Sequence, residues 1–187
     1  MIFKEGENMF YVSEIKTDAP EAFKTPLQQK VYQVLAELKI PYKRVDTDEA
    51  ITMEDCVQIN AKLDMDMVKT LFLCNKKKTL FYLFITTDKK PFDTKKFCEA
   101  LEIPRVSFAP QELFEEILGT KIGAATIYSV LDDWDKTIQV IFDQEVADSE
   151  YYGCSDGTTT GYMKVKTEDI LSKILPYSRH KYKVIGI

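Results

Sequence analysis

The stretch Val68-Lys69-Thr70-Leu71-Phe72-Leu73-Cys74 reads as a β-strand that carries a lysine near its start. Apolar and β-branched residues run through it, and Asn75-Lys76-Lys77-Lys78 follows as a polar turn. Thr79-Leu80-Phe81-Tyr82-Leu83-Phe84-Ile85 then repeats the apolar pattern. The pair predicts a hairpin of two central strands. A charge inside such a strand is costly unless it has a partner or a ligand. Lys69 is therefore expected to snorkel to water at the strand edge or to serve a ligand, and local patterning favours snorkelling.

Upstream, Thr25-Pro26 signals a helix start, with proline in the first turn. Leu27, Val31, Val34 and Leu38 share one helical face, which predicts a helix over 26–39 closed by Ile40-Pro41. Tyr42 to Val45 reads as a strand. Thr52 followed by Glu54 and Asp55 marks a second helix start. Residues 1–24 read as an N-terminal extension laid over a domain of 25–187, with a short strand at Met9–Val12. Downstream of the hairpin, Asp93 caps a helix through Leu101, and 105–108 reads as a strand. Pro110 opens a helix that Gly119 closes. A strand at 137–142 is followed by a glycine-bearing turn at 153–157 and a strand from Thr158 to Val165. A last helix begins at Thr167 and stops at Pro176. Strands mixed with short helices, and no repeat or linker, predict one α+β domain.

The composition is that of an ordinary globular chain. Of 187 residues, 45% are hydrophobic and 29% charged, with a net charge of −5. An acidic chain is an unusual nucleic-acid binder, although a local basic patch suffices for RNA. Clusters at Lys76–Lys78, Lys89–Lys90 and Lys95–Lys96 read first as solvated turns. The cysteines, Cys56, Cys74, Cys98 and Cys154, form no CxxC pair, so neither a metal site nor a disulfide framework is expected. Reduced thiols fit a cytoplasmic protein. No apolar run is long enough for a membrane span, and the first seven residues lack the pattern of a signal peptide. The single histidine, His180, sits in a basic stretch that reads as a solvated tail, which argues against histidine catalysis. No cofactor is expected.

Two stretches could build a site. Gly119-Thr120-Lys121-Ile122-Gly123-Ala124 is no P-loop, but its glycines could bring backbone N–H groups to a ligand. The bland alternative is a helix C-cap and a turn. Gly153-Cys154-Ser155-Asp156-Gly157-Thr158-Thr159-Thr160 offers hydroxyls, a thiol and a carboxylate. A hairpin turn is the bland alternative there. Cys154 as a nucleophile would have no histidine beside it. Asp143 and Asp156 could pair, although solvated loop acids are the common outcome.

Taken in order, four stretches resemble the YbaK/prolyl-tRNA synthetase-associated editing domain family, above all its freestanding ProX/PrdX-like prolyl-tRNA deacylases. They are Tyr42–Asp46 with Ala50-Ile51-Thr52-Met53-Glu54, the lysine strand at 68–73, Phe108 through Gly123, and Asp143 with the 153–160 turn. The resemblance covers about residues 27–175. It implies a mixed, mostly antiparallel barrel-like sheet surrounded by helices. It also implies hydrolysis of the ester of a mischarged tRNA, typically alanine on proline tRNA.

By this resemblance Lys69, Gly119 and Gly123 are the catalytic candidates: Lys69 holds the tRNA 3′ end near the ester, by contact with phosphate or the terminal adenosine, and the loop with Gly119 and Gly123 supplies backbone donors around the aminoacyl group. Thr52, Met53, Leu71, Ile122, Ala124, Gly153, Cys154, Asp156, Thr158 and Thr160 become substrate-binding candidates. The implied partners are aminoacyl-tRNA and prolyl-tRNA synthetase, with no metal. The chain departs from the family pattern at Ile122, where a proline is usual, and at Thr47, where a histidine is usual. A His-Pro-x-x-Asn motif is replaced by Gly153-Cys154-Ser155-Asp156-Gly157. Glycine in place of histidine is expected to make room for a side chain larger than alanine. A catalytically diverged binding module of the same fold is the alternative, and a regulatory partner with an occupied cleft is a third reading.

Overall fold

A computed structural model describes residues 9–50 and 52–187. The reading of residues 1–7, and Ile51 within the first family-like stretch, lie outside the described residues.

Helix α1 (Pro26–Glu37) begins where Thr25 Oγ1 accepts the Gln28 N–H at 3.0 Å, and it buries Leu27, Val31, Val34 and Leu35. Strand β1 (Lys43–Asp46) follows. Helix α2 (Met53–Leu63) carries a full capping box: Thr52 accepts from Asp55 N, and the Asp55 carboxylate accepts from Thr52 N. The hairpin is β2 (Val68–Cys74) and β3 (Phe81–Thr87), antiparallel, with Lys69 opposite Thr86. The second strand starts two residues later than Thr79. The Asn75 side chain accepts the N–H groups of Thr79 and Leu80 at 2.9 and 3.1 Å, which holds both in the turn.

Helix α3 (Thr94–Leu101), capped by Asp93, leads to β4 (Ser107–Phe108), which is shorter than expected. Helix α4 (Gln111–Leu118) ends at Gly119, whose φ of 67° is left-handed as a C-cap requires. A 3₁₀ turn (Ile127–Asp132) precedes β5 (Ile138–Asp143) and the short α5 (Gln144–Ala147). Strands β6 (Tyr151–Ser155) and β7 (Gly161–Lys166) follow. The last helical stretch joins Thr167–Asp169, a π-helical Ile170–Ile174 and Leu175–Tyr177, and β8 (Tyr182–Ile185) comes after it.

The strands form two sheets, β1-β7-β6 and β4-β2-β3-β5-β8. The first is antiparallel throughout. The second is mixed, because β5 runs parallel to both β3 and β8. A parallel bridge between Met67 and Gly153 joins the sheets. The main core lies between α1, the 3₁₀ turn, the last helical stretch and one face of each sheet, with Leu35, Leu83, Ile127, Tyr128, Phe142 and Tyr152 at its centre. The other face of the hairpin packs Leu73, Phe84 and Phe97 under α3. Strand alternation thus divides β2: Phe72 and Cys74 face one core, Leu71 and Leu73 the other. Among the described residues, no helix is long and apolar enough to cross a membrane.

Three expectations are corrected. The turn at 153–157 lies later: Gly153, Cys154 and Ser155 pair with Lys164, Met163 and Tyr162 as strand, and the chain reverses at 156–160. The cause is Asp156, whose Oδ1 gathers both the N–H and the hydroxyl of Thr158. Pro176 does not stop the last helix, which continues to Tyr177 past a π-helical turn at Ile170–Ile174. The C-terminal stretch is no solvated tail. His180 is buried, its Nε2 sits 2.8 Å from Asp133 Oδ2, and β8 adds to the sheet edge. Burial raises the Asp133 pKa. Hydrogen bonds from His180, Ile138 N and Thr137 outweigh that effect and bring it down to about 2.

Candidate functional site

Thr120 stitches two loops together. Its buried hydroxyl donates to the Gly157 carbonyl at 2.8 Å, tying the loop after α4 to the 156–160 turn. Ser155 Oγ donates to the Ala124 carbonyl at 3.0 Å, and Thr126 Oγ1 donates to the Ser155 carbonyl at 3.0 Å. The turn is also fixed to the end of β1: Thr47 N donates to the Thr160 carbonyl at 2.9 Å and Ala50 N to that of Thr159 at 3.1 Å. Between these walls lies an open cavity of about 590 Å³. Gly119, Thr120, Lys121 and Ala124 line one side, and Gly157 to Thr160 line the other. Lys24, Thr25, Glu49 and Glu115 complete its rim. Thr160 brings a hydroxyl to it, while the Thr158 hydroxyl turns back to Asp156, and Lys24, Lys121, Glu49 and Glu115 bring charges of both signs.

Asp156 sits behind the turn, with 0% exposure. Its Oδ2 accepts from Gln28 Nε2 and from the Tyr32 hydroxyl, both at 2.9 Å, while Oδ1 serves Thr158. Four donors saturate the carboxylate, so it shapes the turn without touching the cavity. Burial, then the charge of Asp156, push the Tyr32 hydroxyl far above its ordinary pKa, which keeps it a donor. Gly161 follows from this packing, because a Cβ there would lie 2.2 Å from Asp156 Oδ2.

Of the predicted site residues, Gly119, Ala124, Thr158 and Thr160 therefore share one cavity, with Ile122 and Gly123 in the loop between them. Ile122 is 61% exposed, and Gly123 has a φ of 95°. Thr52 caps α2, and Met53 beside it is exposed. Cys154 belongs to the main core, where burial drives its thiol pKa far upward. It is no nucleophile. Gly153 makes no room: a Cβ there would meet Met65 Sδ at 2.7 Å and the Asp66 carbonyl at 2.8 Å. At Gly157, φ is 95° and Leu27 fills the space at 3.0 Å. The expected enlargement is absent because neighbouring chain occupies both positions.

Lys69 is not among the residues lining this cavity. It shares its strand face with Leu71, which packs partly buried against the Leu73–Phe97 cluster. Its ammonium donates to the Lys90 carbonyl, a partner that neither sequence reading named. Lys90 in turn reaches Asp143 at 3.0 Å and Glu145 at 2.9 Å. Asp143 is fully buried and also accepts from Thr86 Oγ1 at 2.7 Å. Asp143 and Asp156 are thus not solvated acids, and they hold separate sets of partners. Among the described residues, no three His, Cys, Asp or Glu side chains are grouped to hold a metal.

Sequence reasoning missed Lys24, Glu49 and Glu115, and it named Thr120 only as part of the glycine loop. Lys24 directly precedes the Thr25-Pro26 cap signal, but no local pattern places it beside Thr160. The burial of His180 and its contacts with Ser178 and Asp133 were also missed. They have the residue types of a hydrolytic triad, yet all three are buried and the Ser178 hydroxyl donates to Leu175 O at 2.9 Å, so they pin β8 to the loop before β5.

Residues 47–173 match the aminoacyl-tRNA editing domain family. The prolyl-tRNA editing protein ProX of Acetoanaerobium sticklandii is 26% identical over 160 residues, spanning 86% of this chain and 97% of that protein. The prolyl-tRNA synthetase associated domain-containing protein 1 of Danio rerio is 22% identical over 156 residues, spanning 82% and 84%. A solved structure described as a candidate trans-editing enzyme for prolyl-tRNA synthetase superposes with a TM-score of 0.61 at 16% identity, covering 88% of this chain and 98% of that one. A hypothetical protein, APE2540, gives a TM-score of 0.62 at 13% identity, covering 83% and 97%. With its lysine strand, its glycine loop and its hydroxyl-bearing turn on a matching fold, the chain belongs to the aminoacyl-tRNA editing domain family.

Proposed function

We propose that this protein is a trans-acting deacylase that hydrolyses the ester of a mischarged tRNA, with alanine on proline tRNA as the substrate. The carrying observation is the cavity itself: a glycine-bearing backbone loop faces a row of threonines, and among the described residues no histidine or cysteine lines it. Such a site works by position. Water adds to the ester carbonyl, the bond to the ribose oxygen breaks, and free amino acid leaves a tRNA with its terminal hydroxyl restored. Loop N–H groups would hold the carbonyl oxygen as it gains charge, and the substrate's ribose hydroxyl would help activate the water. The filled space at Gly157, on the cavity wall, supports a small amino acid.

In this reading Lys69 meets the tRNA outside the cavity, on the other face of β2, and acts on binding rather than on the ester. Prolyl-tRNA synthetase is the natural partner, and the unpaired thiols of all four cysteines suit the cytoplasm.

The test is deacylation of alanyl-, seryl-, threonyl- and cysteinyl-tRNA by the wild-type protein. Alanyl-tRNA(Pro) should turn over fastest, and no turnover across the panel would overturn the proposal. The binding-module reading is favoured by one observation, glycine at 153 and 157 where the family pattern has histidine and asparagine. Tight binding of aminoacyl-tRNA with an unchanged ester half-life would establish it.

A further inference from the structure

The segment before α1 runs as a strap along β1. Val12 bridges Thr47 and Lys16 bridges Arg44, both antiparallel. The Arg44 Nε donates to the Asp18 carbonyl at 2.6 Å. At the far end Phe23 stacks on Tyr32 with ring centroids 6.0 Å apart. The next residue, Lys24, donates its N–H to Gln28 Oε1 at 2.7 Å and its ammonium to Thr160 Oγ1 at 2.5 Å. Gln28 and Tyr32 are the same residues that hold Asp156. One buried network therefore fixes both the hydroxyl turn and the end of the strap.

The result is an exposed ammonium at the cavity rim that, among the described residues, makes no ion pair. Its neighbour in charge is different. Thr159 Oγ1 lies 3.3 Å from Glu49 Oε1, so adjacent threonines hold a cation and an anion. An aminoacylated 3′ end carries the complementary pair, phosphodiester and α-ammonium. The positive end of α1 begins beside Lys24 and reinforces its sign, since Thr25 lines the same cavity.

We propose that Lys24 is a substrate-binding residue that takes a phosphodiester of the acceptor end, so that the strap forms part of the tRNA-binding surface. The assignment rests on the editing reading given above, but it can be tested without hydrolysis. The probe is a short acceptor-stem RNA ending in unpaired CCA, titrated over a range of salt concentrations against wild type, Lys24→Met and Lys24→Arg. Lys24→Met should weaken binding about tenfold, the loss expected for one charge-assisted contact. It should also lower the dependence of log Kd on log salt by about 0.7, one single-strand phosphate. Lys24→Arg should restore most of both.

Unchanged affinity and salt slope in Lys24→Met, with an unchanged melting temperature, would overturn the assignment. So would an equal loss in Lys24→Arg, because the side chain would then be shaping the turn. Binding that depends on Lys24 in a protein that hydrolyses no aminoacyl-tRNA would sink the deacylase reading and keep this one. Wild-type protein that does not bind the RNA would overturn this assignment and leave the deacylase reading to the turnover panel.

Discussion

Two polar regions flank the hairpin, and they are built in opposite ways. Around Asp143 the charges are collected and mutually paired: Thr86, Lys90 and Glu145 converge, and Lys69 anchors the Lys90 carbonyl. Around Asp156 the buried charge is spent on holding a turn, while the Thr159 and Thr160 hydroxyls and the rim charges remain at the cavity. Buried groups whose hydrogen-bonding capacity is filled stabilise structure. Groups held in place with capacity left over can bind something else. By that criterion the 119–124 and 157–160 walls suit the proposed chemistry, and the Lys90–Asp143 cluster is a brace.

Asp156→Ala should show the largest effect. It strands the Gln28 amide, the Tyr32 hydroxyl and Thr158, a loss of about 3–5 kcal/mol in urea unfolding, with deacylation falling by more than about 100-fold. Activity near that of wild type in the folded variant would break the comparison. Asp143→Asn sharpens it from the other side. Stability should fall by about 2–4 kcal/mol as Lys90 loses its buried partner, while kcat of the folded protein stays within about twofold.

Thr120→Val removes the stitch to Gly157. It should cost about 1–2 kcal/mol in stability and about tenfold in kcat/KM, because the two cavity walls lose register. Lys69→Ala should cost less than about 1 kcal/mol, raise KM a few-fold and leave kcat unchanged. A 100-fold loss in kcat would place Lys69 at the ester and remove the distinction.

The smallest effect is one of pH. The hydrogen bond to Glu145, opposed by desolvation and aided by Asp143, raises the Lys90 pKa. The stability it contributes is fully present below the ordinary lysine value of about 10.4 and is lost as pH rises through the raised one. Lys90→Met should flatten alkaline unfolding curves in that window and leave the cavity-side variants unaffected.

Local chemistry was legible wherever the cause was local. The Thr52–Asp55 capping box, the Asp93 cap, the Gly119 C-cap and the β2–β3 hairpin are each set by a few adjacent residues, and each lies where its pattern placed it, with shifts of up to two residues at the ends. The lysine strand, the glycine loop and the late threonines, in that order, also sufficed to indicate the editing family. Site membership was only partly legible. The loop at 119–124 and the threonines of the turn read locally as a C-cap and a hairpin turn and became site candidates by resemblance, and they line one cavity. Cys154 and Asp156 read the same way and are buried, because β6 extends to Ser155 and Asp156 finds partners on α1.

The sequence by itself therefore determined most of the elements, their caps and the family. Tertiary structure alone decided three things. It put Lys69 on the face of β2 away from the cavity, because strand alternation is fixed only once each face has a core to bury against. It closed the spaces at Gly153 and Gly157 with Met65 and Leu27, residues distant in the chain. It also carried Lys24 to Thr160 across 136 positions. Contacts of that separation leave no periodicity in the sequence, since what fixes them is the packing of the whole chain around one buried carboxylate.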